Sequence, residues 1–324
     1  MGRGASALEG LEVMDNPLSS DLDHVLAHTE GLWEELRGQR IFMTGGTGFF
    51  GCWLLESFAW ANDKLGLDAS VLVLTRDPDA FRRKAPHLAT RPDIEFLVGD
   101  VRTFRFPEGR FSHVIHAAIP ETKRALELAR RSGVKKFLLT SSGAVYEKPL
   151  STYGAEKLKA EQLCSLYAQQ CSIETKIARC FAFVGPYLPL DANFAVGNFI
   201  GDAMSGRPIQ VKEDGTPYRS YLYAADLAIW LWTILFRGET GCPYNVGSAG
   251  PLTIAELAEM VAHISYPRVP VAIAKTPPAG QPAKCYIPDV RQTETALNLH
   301  EWVSLAEGIR RTIRWHATKG EGNV

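Results

Sequence analysis

Residues 41–51, Ile-Phe-Met-Thr-Gly-Gly-Thr-Gly-Phe-Phe-Gly, decide the fold. A short apolar run, IFMT (41–44), enters glycines at 45, 48 and 51, and an apolar segment, FFGCWLLESFAWA, leaves them. That order is strand, tight turn, helix. Gly45 suits the turn, Gly48 lets backbone approach a pyrophosphate, and Gly51 lets the helix pack close to the strand. The start of a helix presents unpaired N–H groups and the positive end of its dipole, so Thr47, Gly48, Phe49 and Phe50 form a phosphate-facing loop. The context predicts dinucleotide binding.

Outward from this loop the same alternation continues. VLVLT (71–75), IEFLV (94–98), HVIHAA (113–118), KFLLTS (136–141) and TKIARCF (175–181) are continuous apolar runs with helical stretches between several of them. Such runs read as strands buried on both faces of a parallel sheet. The expected fold is α/β: a Rossmann-type doubly wound parallel sheet at 39–182, then a smaller mixed α/β substrate domain at 183–324. The apolar helix AADLAIWLWTILFRG (224–238) is expected to return to the first domain. Residues 1–38 read as an N-terminal helical extension: Ser19, Ser20 and Asp21 offer N-caps to DLDHVLAHTE, and GLWEELRG follows as a short helix ended by Gly38. Leu22, Val25, Leu26, Leu32, Trp33 and Leu36 are its expected packing face. His24 and His28 stand one turn apart, but with no third ligand or HExxH context they read as a solvated face.

Composition excludes several classes. The 324 residues carry 35 Lys+Arg against 36 Asp+Glu, a net charge of −1, so there is no electrostatic footprint for nucleic acid or an anionic membrane. No apolar run is long enough to span a bilayer, and MGRGASALEG lacks the apolar core of a signal peptide. Six scattered cysteines without a CxxC pair suit reduced thiols. The expectation is a soluble, cytoplasmic protein with no metal.

VLVLT ends in Thr75-Arg76-Asp77. Arg76 is placed to stack on adenine and pair with a 2′-phosphate, which favours NADP; Asp77 leaves NAD open. Asp100, in VGDV, is placed either to accept the adenine amino group or to cap the next turn. Tyr153 and Lys157 form YGAEK, a spacing that puts both side chains on one helix face. A lysine ammonium and a cationic nicotinamide would draw the phenol down from its usual pKa near 10, making it a general acid/base. TSSGAVY (140–146) adds Ser142 at the carboxyl end of the fifth strand, where open α/β sheets bind ligands.

Taken in order, TGGTGFFG, HAA (116–118), TSSGAVY, YGAEK and RCFAFVGP (179–186) resemble the extended short-chain dehydrogenases/reductases, in the nucleotide-sugar epimerase/dehydratase branch. The likeness covers roughly 40–315. It implies bound NAD(P), a Ser142–Tyr153–Lys157 triad, cofactor contacts from Val101, Ala117, Ala118, Tyr153 and Lys157, a nucleotide-diphosphate sugar in the second domain, and a homodimer. It makes Arg219 the diphosphate arginine, with Asn198 and either Lys284 or Arg291 as further contacts.

Three departures qualify that likeness. The dehydratases of the family carry an Asp-Glu pair where this chain has Gly143 and Ala144, so water elimination by that route is disfavoured. Ala182 stands where epimerases usually have Asn. The stretches from Ala118 to Ser142 and from Ser142 to Tyr153 are short for the family: either the site is a trimmed, open variant or, the favoured expectation, further lid-loop residues belong at both. The expected function is 4-epimerisation of a nucleotide sugar. The alternatives are an NADPH-dependent 4-ketosugar reductase, a decarboxylating oxidase, and a non-catalytic NAD(P)-binding sensor or scaffold.

Overall fold

A computed structural model describes residues 16–118, 121–277, 280 and 282–321. Seven strands form one parallel sheet: β1 (Arg40–Thr44), β2 (Ser70–Thr75), β3 (Ile94–Val98), β4 (His113–His116), β5 (Lys136–Ser142), β6 (Glu174–Cys180) and β7 (Pro243–Val246). Their spatial order is β7-β6-β5-β4-β1-β2-β3. The order reverses between β1 and β4, which opens a crevice at their carboxyl ends. Thr44 of β1 lies opposite Leu74 of β2 and His116 of β4, so the glycine turn begins at that crevice.

Alternation along each strand fills both faces. Ile41, Met43 and Leu138 join one core with Trp53, Phe58 and Trp232, while Phe42, Phe137 and Leu139 join another with Phe111 and Leu126. The Ala224–Arg237 helix is buried against the first core, and Trp232 donates its Nε1–H to Ser57 of the Phe49–Leu65 helix at 2.8 Å. β7 was not read from the sequence: Pro-Tyr-Asn-Val carries no continuous apolar run, because an edge strand needs burial only at alternate positions. Beyond β6, short strands dominate. Tyr218–Arg219 runs between Leu252–Thr253 and Cys285–Tyr286.

The N-terminal segment forms a helix at Ser19–His28, then a 3-10 turn at Trp33–Leu36 where a short helix was expected. The expected caps do not operate: Leu18 is the N-cap, and Asn16 instead accepts the Leu18 N–H at 2.9 Å. Leu22, Val25, Leu32, Trp33 and Leu36 are buried as expected, and Leu26 partly so. His24 is not solvated on its own. Its Nε2 lies 3.2 Å from Asp226, a fully buried carboxylate that also accepts the N–H groups of Trp302 and Val303 at 3.0 Å each. Among the described residues no helix is long and apolar enough to cross a membrane.

His113 and His116 on β4 are buried, and each has an Nε2 with no partner among the described residues. Burial holds His113 down at about 4 and His116 at about 3, so both are neutral in the fold. Unfolded, they titrate near 6.5. Below that pH the unfolded chain binds protons that the fold excludes, so stability falls as pH drops. Between pH 7 and pH 5 the loss is up to about 2 kcal/mol for each histidine. Urea unfolding at the two pH values checks this; equal stabilities would refute it, and His116→Asn should remove about half of the difference.

Candidate active site

The glycine turn is built by exclusion. Gly45 has φ +73°, and a Cβ there would lie 2.4 Å from the Ala117 carbonyl oxygen at the end of β4. A Cβ at Gly51 would lie 2.3 Å from the Gly45 oxygen. Gly48 N–H closes the turn on Gly45 O at 3.1 Å and Gly48 then heads the Phe49–Leu65 helix with no side-chain cap. The first N–H groups of that helix therefore face outward without intrahelical partners, a cradle suited to phosphate. A cavity of about 500 Å³ extends from it across the ends of β1, β2 and β3, lined by Gly45, Thr47, Arg76, Asp100, Val101 and Ala118.

Around this cavity the open alternatives resolve into contacts. Arg76 is exposed at the rim and its charge reaches Asp100. Asp77 accepts the Ala80 N–H at 2.9 Å and so caps the Pro78–Lys84 helix. Asp100 accepts the Arg102 N–H at 2.9 Å, and its two oxygens take the Arg102 guanidinium at 2.8 Å each. That guanidinium holds the Asp100 carboxyl well below the usual range. Asp100 therefore caps the turn that follows β3. Arg102 was not singled out from sequence. Nor was Lys84, which lines the same cavity and donates to Thr47 O at 3.0 Å.

Ser142 ends β5 and begins a 3-10 turn, Gly143–Tyr146, accepting the Ala144 N–H at 3.2 Å. Ser151 caps the Thr152–Gln170 helix by accepting the Gly154 N–H at 3.1 Å. The chain turns tightly between Ser142 and Tyr153, and a Cβ at Gly154 would meet Ala144 O at 2.5 Å. In the other short stretch, residues 119–120 lie outside the described residues. Gly143 has no room for a side chain either, since a Cβ would lie 2.5 Å from the Phe181 ring.

The helix brings Tyr153 and Lys157 together, with Lys157 Nζ 5.9 Å from the Tyr153 ring centre and donating to Thr140 O at 2.7 Å. Lys157 is buried, which pulls its pKa below the usual lysine value. Tyr153 moves the other way. Partial burial raises its phenol, and the Ser142 hydroxyl only partly offsets this. Burial is the largest influence on Tyr153, and the lowering expected from Lys157 is not seen.

Tyr153, Lys157, Ser142, Gly48, Phe49 and Phe50 share a cavity of about 720 Å³, which Ala117 and Arg219 also line. Arg219 donates to Tyr218 O at 2.8 Å and stands 5.5 Å over the Tyr286 ring. Tyr286, Phe181 and Asn193 line this cavity too, and nothing in their sequence context marked them. Arg291 pairs with Asp289 at 2.9 Å and lines an adjoining cavity of about 940 Å³. Asn198 and Lys284 line neither cavity; Lys284 is exposed, and its carbonyl accepts the Tyr218 N–H at 2.8 Å. Glu161, one turn after Lys157, accepts Ser141 Oγ at 2.5 Å and both arms of Arg179, at 3.0 and 2.7 Å. The buried Glu161 carboxylate thus ties the Thr152–Gln170 helix to β5 and β6.

The profile of the NAD dependent epimerase/dehydratase family matches residues 41–247. A UDP-glucuronic acid decarboxylase of Arabidopsis thaliana is 29% identical over 307 residues, spanning 83% of this chain and 86% of the relative. Two solved structures share the fold. One is an epimerase from Methanothermobacter thermautotrophicus, with a TM-score of 0.74, 21% identity and coverage of 94% of this chain and 98% of that one. The other is a UDP-glucuronic acid 4-epimerase from Bacillus cereus in complex with NAD, with a TM-score of 0.73, 22% identity and coverage of 88% and 99%. The chain belongs to the NAD dependent epimerase/dehydratase family, enzymes of the extended short-chain dehydrogenase/reductase class.

Proposed function

We propose that this chain inverts C4 of a nucleoside-diphosphate sugar, with UDP sugars as the first candidates, residues 39–182 holding the cofactor and 183–324 the substrate. The observation that carries the reading is the grouping of Ser142, Tyr153 and Lys157 in one cavity with the helix that starts at Gly48. When bound at the helix that starts at Gly48, NAD(P)+ would supply a reversible hydride acceptor for the sugar carbon. Tyr153 takes the proton of the C4 hydroxyl, and Ser142 holds the same oxygen. Lys157 uses one of its three N–H donors on Thr140 O, leaving two for a ribose hydroxyl and for stabilising the phenolate. Because the ligand-free phenol is raised, base activity depends on positive charge arriving beside it. Arg219 is suited to the diphosphate, with Arg291 as a second cation near the adjoining cavity. A homodimer through the Thr152–Gln170 helix, where Leu166 is exposed, belongs to the same proposal.

The lack of a proton-transferring side chain at Gly143 and Ala144 supports inversion over water elimination. Decarboxylation of UDP-glucuronic acid is the second reading, favoured by the Arabidopsis relative. It shares the oxidation at C4, after which a β-keto acid loses carbon dioxide without a dedicated acidic residue.

With NAD+ supplied, incubation with UDP-glucose and with UDP-glucuronic acid should yield the C4 epimer of at least one. A pentose product from UDP-glucuronic acid would replace epimerisation with decarboxylation. Tyr153→Phe should lower kcat by about 10²- to 10⁴-fold while nucleotide binding persists; near-wild-type turnover would remove Tyr153 from the chemistry. On the cofactor, we propose that Arg76 meets a 2′-phosphate and that NADP is favoured, Asp77 being engaged as a helix cap. Arg76→Ser should then weaken NADPH binding by about tenfold to a hundredfold, the equivalent of losing a charged hydrogen bond, and change NADH binding less than twofold. Equal losses for both nucleotides would contradict a 2′-phosphate contact.

A further inference from the structure

Thr47 sits one residue ahead of Gly48, the N-cap of the Phe49–Leu65 helix, and its carbonyl oxygen accepts a hydrogen bond from Lys84 Nζ at 3.0 Å. A carbonyl beside an anion cradle presents the negative end of a peptide dipole and works against the cradle. An ammonium on that oxygen reverses the sign. The rim of the loop thereby gains a full positive charge next to the start of the helix, where the dipole alone supplies about half of one.

Lys84 is brought there by two separate packings. It is the last residue of the Pro78–Lys84 helix, which Asp77 caps at its start. Phe81 anchors that helix, buried and with its ring 5.6 Å from that of Phe96 on β3. The Tyr187 ring stands 5.7 Å from the same Nζ. Tyr187 is itself fixed, since its hydroxyl donates to the buried Glu56 carboxylate, which also meets His87 Nε2 at 2.7 Å. Glu56 belongs to the Phe49–Leu65 helix, so the helix whose start forms the cradle also holds the ring beside Lys84. A lysine side chain loses much rotamer freedom when it closes on a ligand, but this ammonium already rests between an oxygen and an aromatic face. Such preorganisation lowers the entropy lost when an anion arrives.

Lys84 lines the cavity of about 500 Å³ together with Arg76, Arg102, Asp77 and Asp100. Arg102 is matched by Asp100, and Asp77 serves as a helix cap. Arg76 and Lys84 mark two different places: Arg76 follows β2, whereas Lys84 touches the loop that follows β1. A dinucleotide phosphorylated on its ribose has two anionic centres, the diphosphate at the helix start and the 2′-phosphate beyond the second strand. We propose that Lys84 recognises the diphosphate of the nicotinamide dinucleotide, completing the cradle at the helix start, and takes no part in reading the 2′ position. The proposal rests on the assignment of the glycine loop to that cofactor and does not depend on which sugar reaction follows.

Calorimetric binding of NADH, NADPH and ADP-ribose to the full chain tests this without turnover. Lys84→Gln keeps a donor for the Thr47 oxygen and removes the charge. It should weaken all three ligands alike, by about tenfold, the loss expected for a charged hydrogen bond, and make their Kd less sensitive to salt. Lys84→Arg, which keeps the charge, should stay within about threefold of the wild type. Affinities within twofold of the wild type in Lys84→Gln overturn the proposal, because the hydrogen bond to Thr47 alone would then suffice. A loss confined to NADPH overturns it in favour of a 2′-phosphate contact. A loss with unchanged salt dependence overturns it in favour of a purely structural hold on the loop, as does a loss that Lys84→Arg does not rescue. A wild type that binds no dinucleotide overturns the assignment of the loop and this proposal together, whereas wild-type binding that Lys84→Gln leaves unmoved overturns the role of Lys84 alone.

Discussion

No side chain fits at position 51, where a Cβ would stand 2.3 Å from the Gly45 carbonyl oxygen, and the rest of the site hangs on that contact. It seats the first turn of the Phe49–Leu65 helix directly on the end of β1. The helix N-terminus is thereby aimed at the point where the strand order reverses. Gly45 repeats the constraint toward β4, since its missing Cβ admits the Ala117 carbonyl. Two absent methyl groups thus bring three elements into contact at one crevice. The strands β2, β3 and β5 then deliver Arg76, Asp100 and Ser142 to the same edge because a parallel sheet points all its carboxyl ends one way.

Much of this was legible in the sequence, for a physical reason. Gly45 and Gly51 are required by sterics within seven residues of chain, and YGAEK encodes its geometry in one helical turn. Continuous apolar runs announced six of the seven strands, because strands covered on both faces are mostly apolar, although β4 also buries His113 and His116. What stayed hidden depends on distant chain. β7 joins the sheet at an edge and shows no such run. Ser19, Ser20 and Asp21 satisfy the local rule for caps, yet the helix starts so that Leu18 and Leu22 are buried, and burial outranks capping. Tyr286 lies in a segment without periodicity and reaches the site only because its strand pairs with Tyr218–Arg219. Asp100 was legible as a residue that mattered, but its engagement by Arg102 is a matter of side-chain geometry that spacing alone does not contain.

The electrostatics of Tyr153 and Lys157 run against the roles proposed for them. Burial lowers Lys157 and raises Tyr153, so the ligand-free pair is less ready to form an ammonium and a phenolate than either residue would be in water. That is the cost of removing the site from solvent, and only charge entering with a ligand can offset it. On the proposed function, the base strength of Tyr153 would depend on positive charge brought beside it by the nucleotide.

The same close packing limits which reactions are possible. Phe181 fills the space where a side chain at position 143 would project, so an acidic residue there would displace the ring. Phe181 also packs on Tyr286 and, at 6.4 Å, on Tyr146, whose hydroxyl accepts from Arg179 at 2.6 Å and donates to Asn245 at 3.0 Å. Gly143 is thus the price of an aromatic wall. Around the carboxyl end of β5, that wall leaves hydroxyl groups rather than carboxylates facing the cavity. The packing of one ring on one glycine thus lines the carboxyl end of β5 with hydroxyls, an arrangement in keeping with the proposed inversion through a transient ketone.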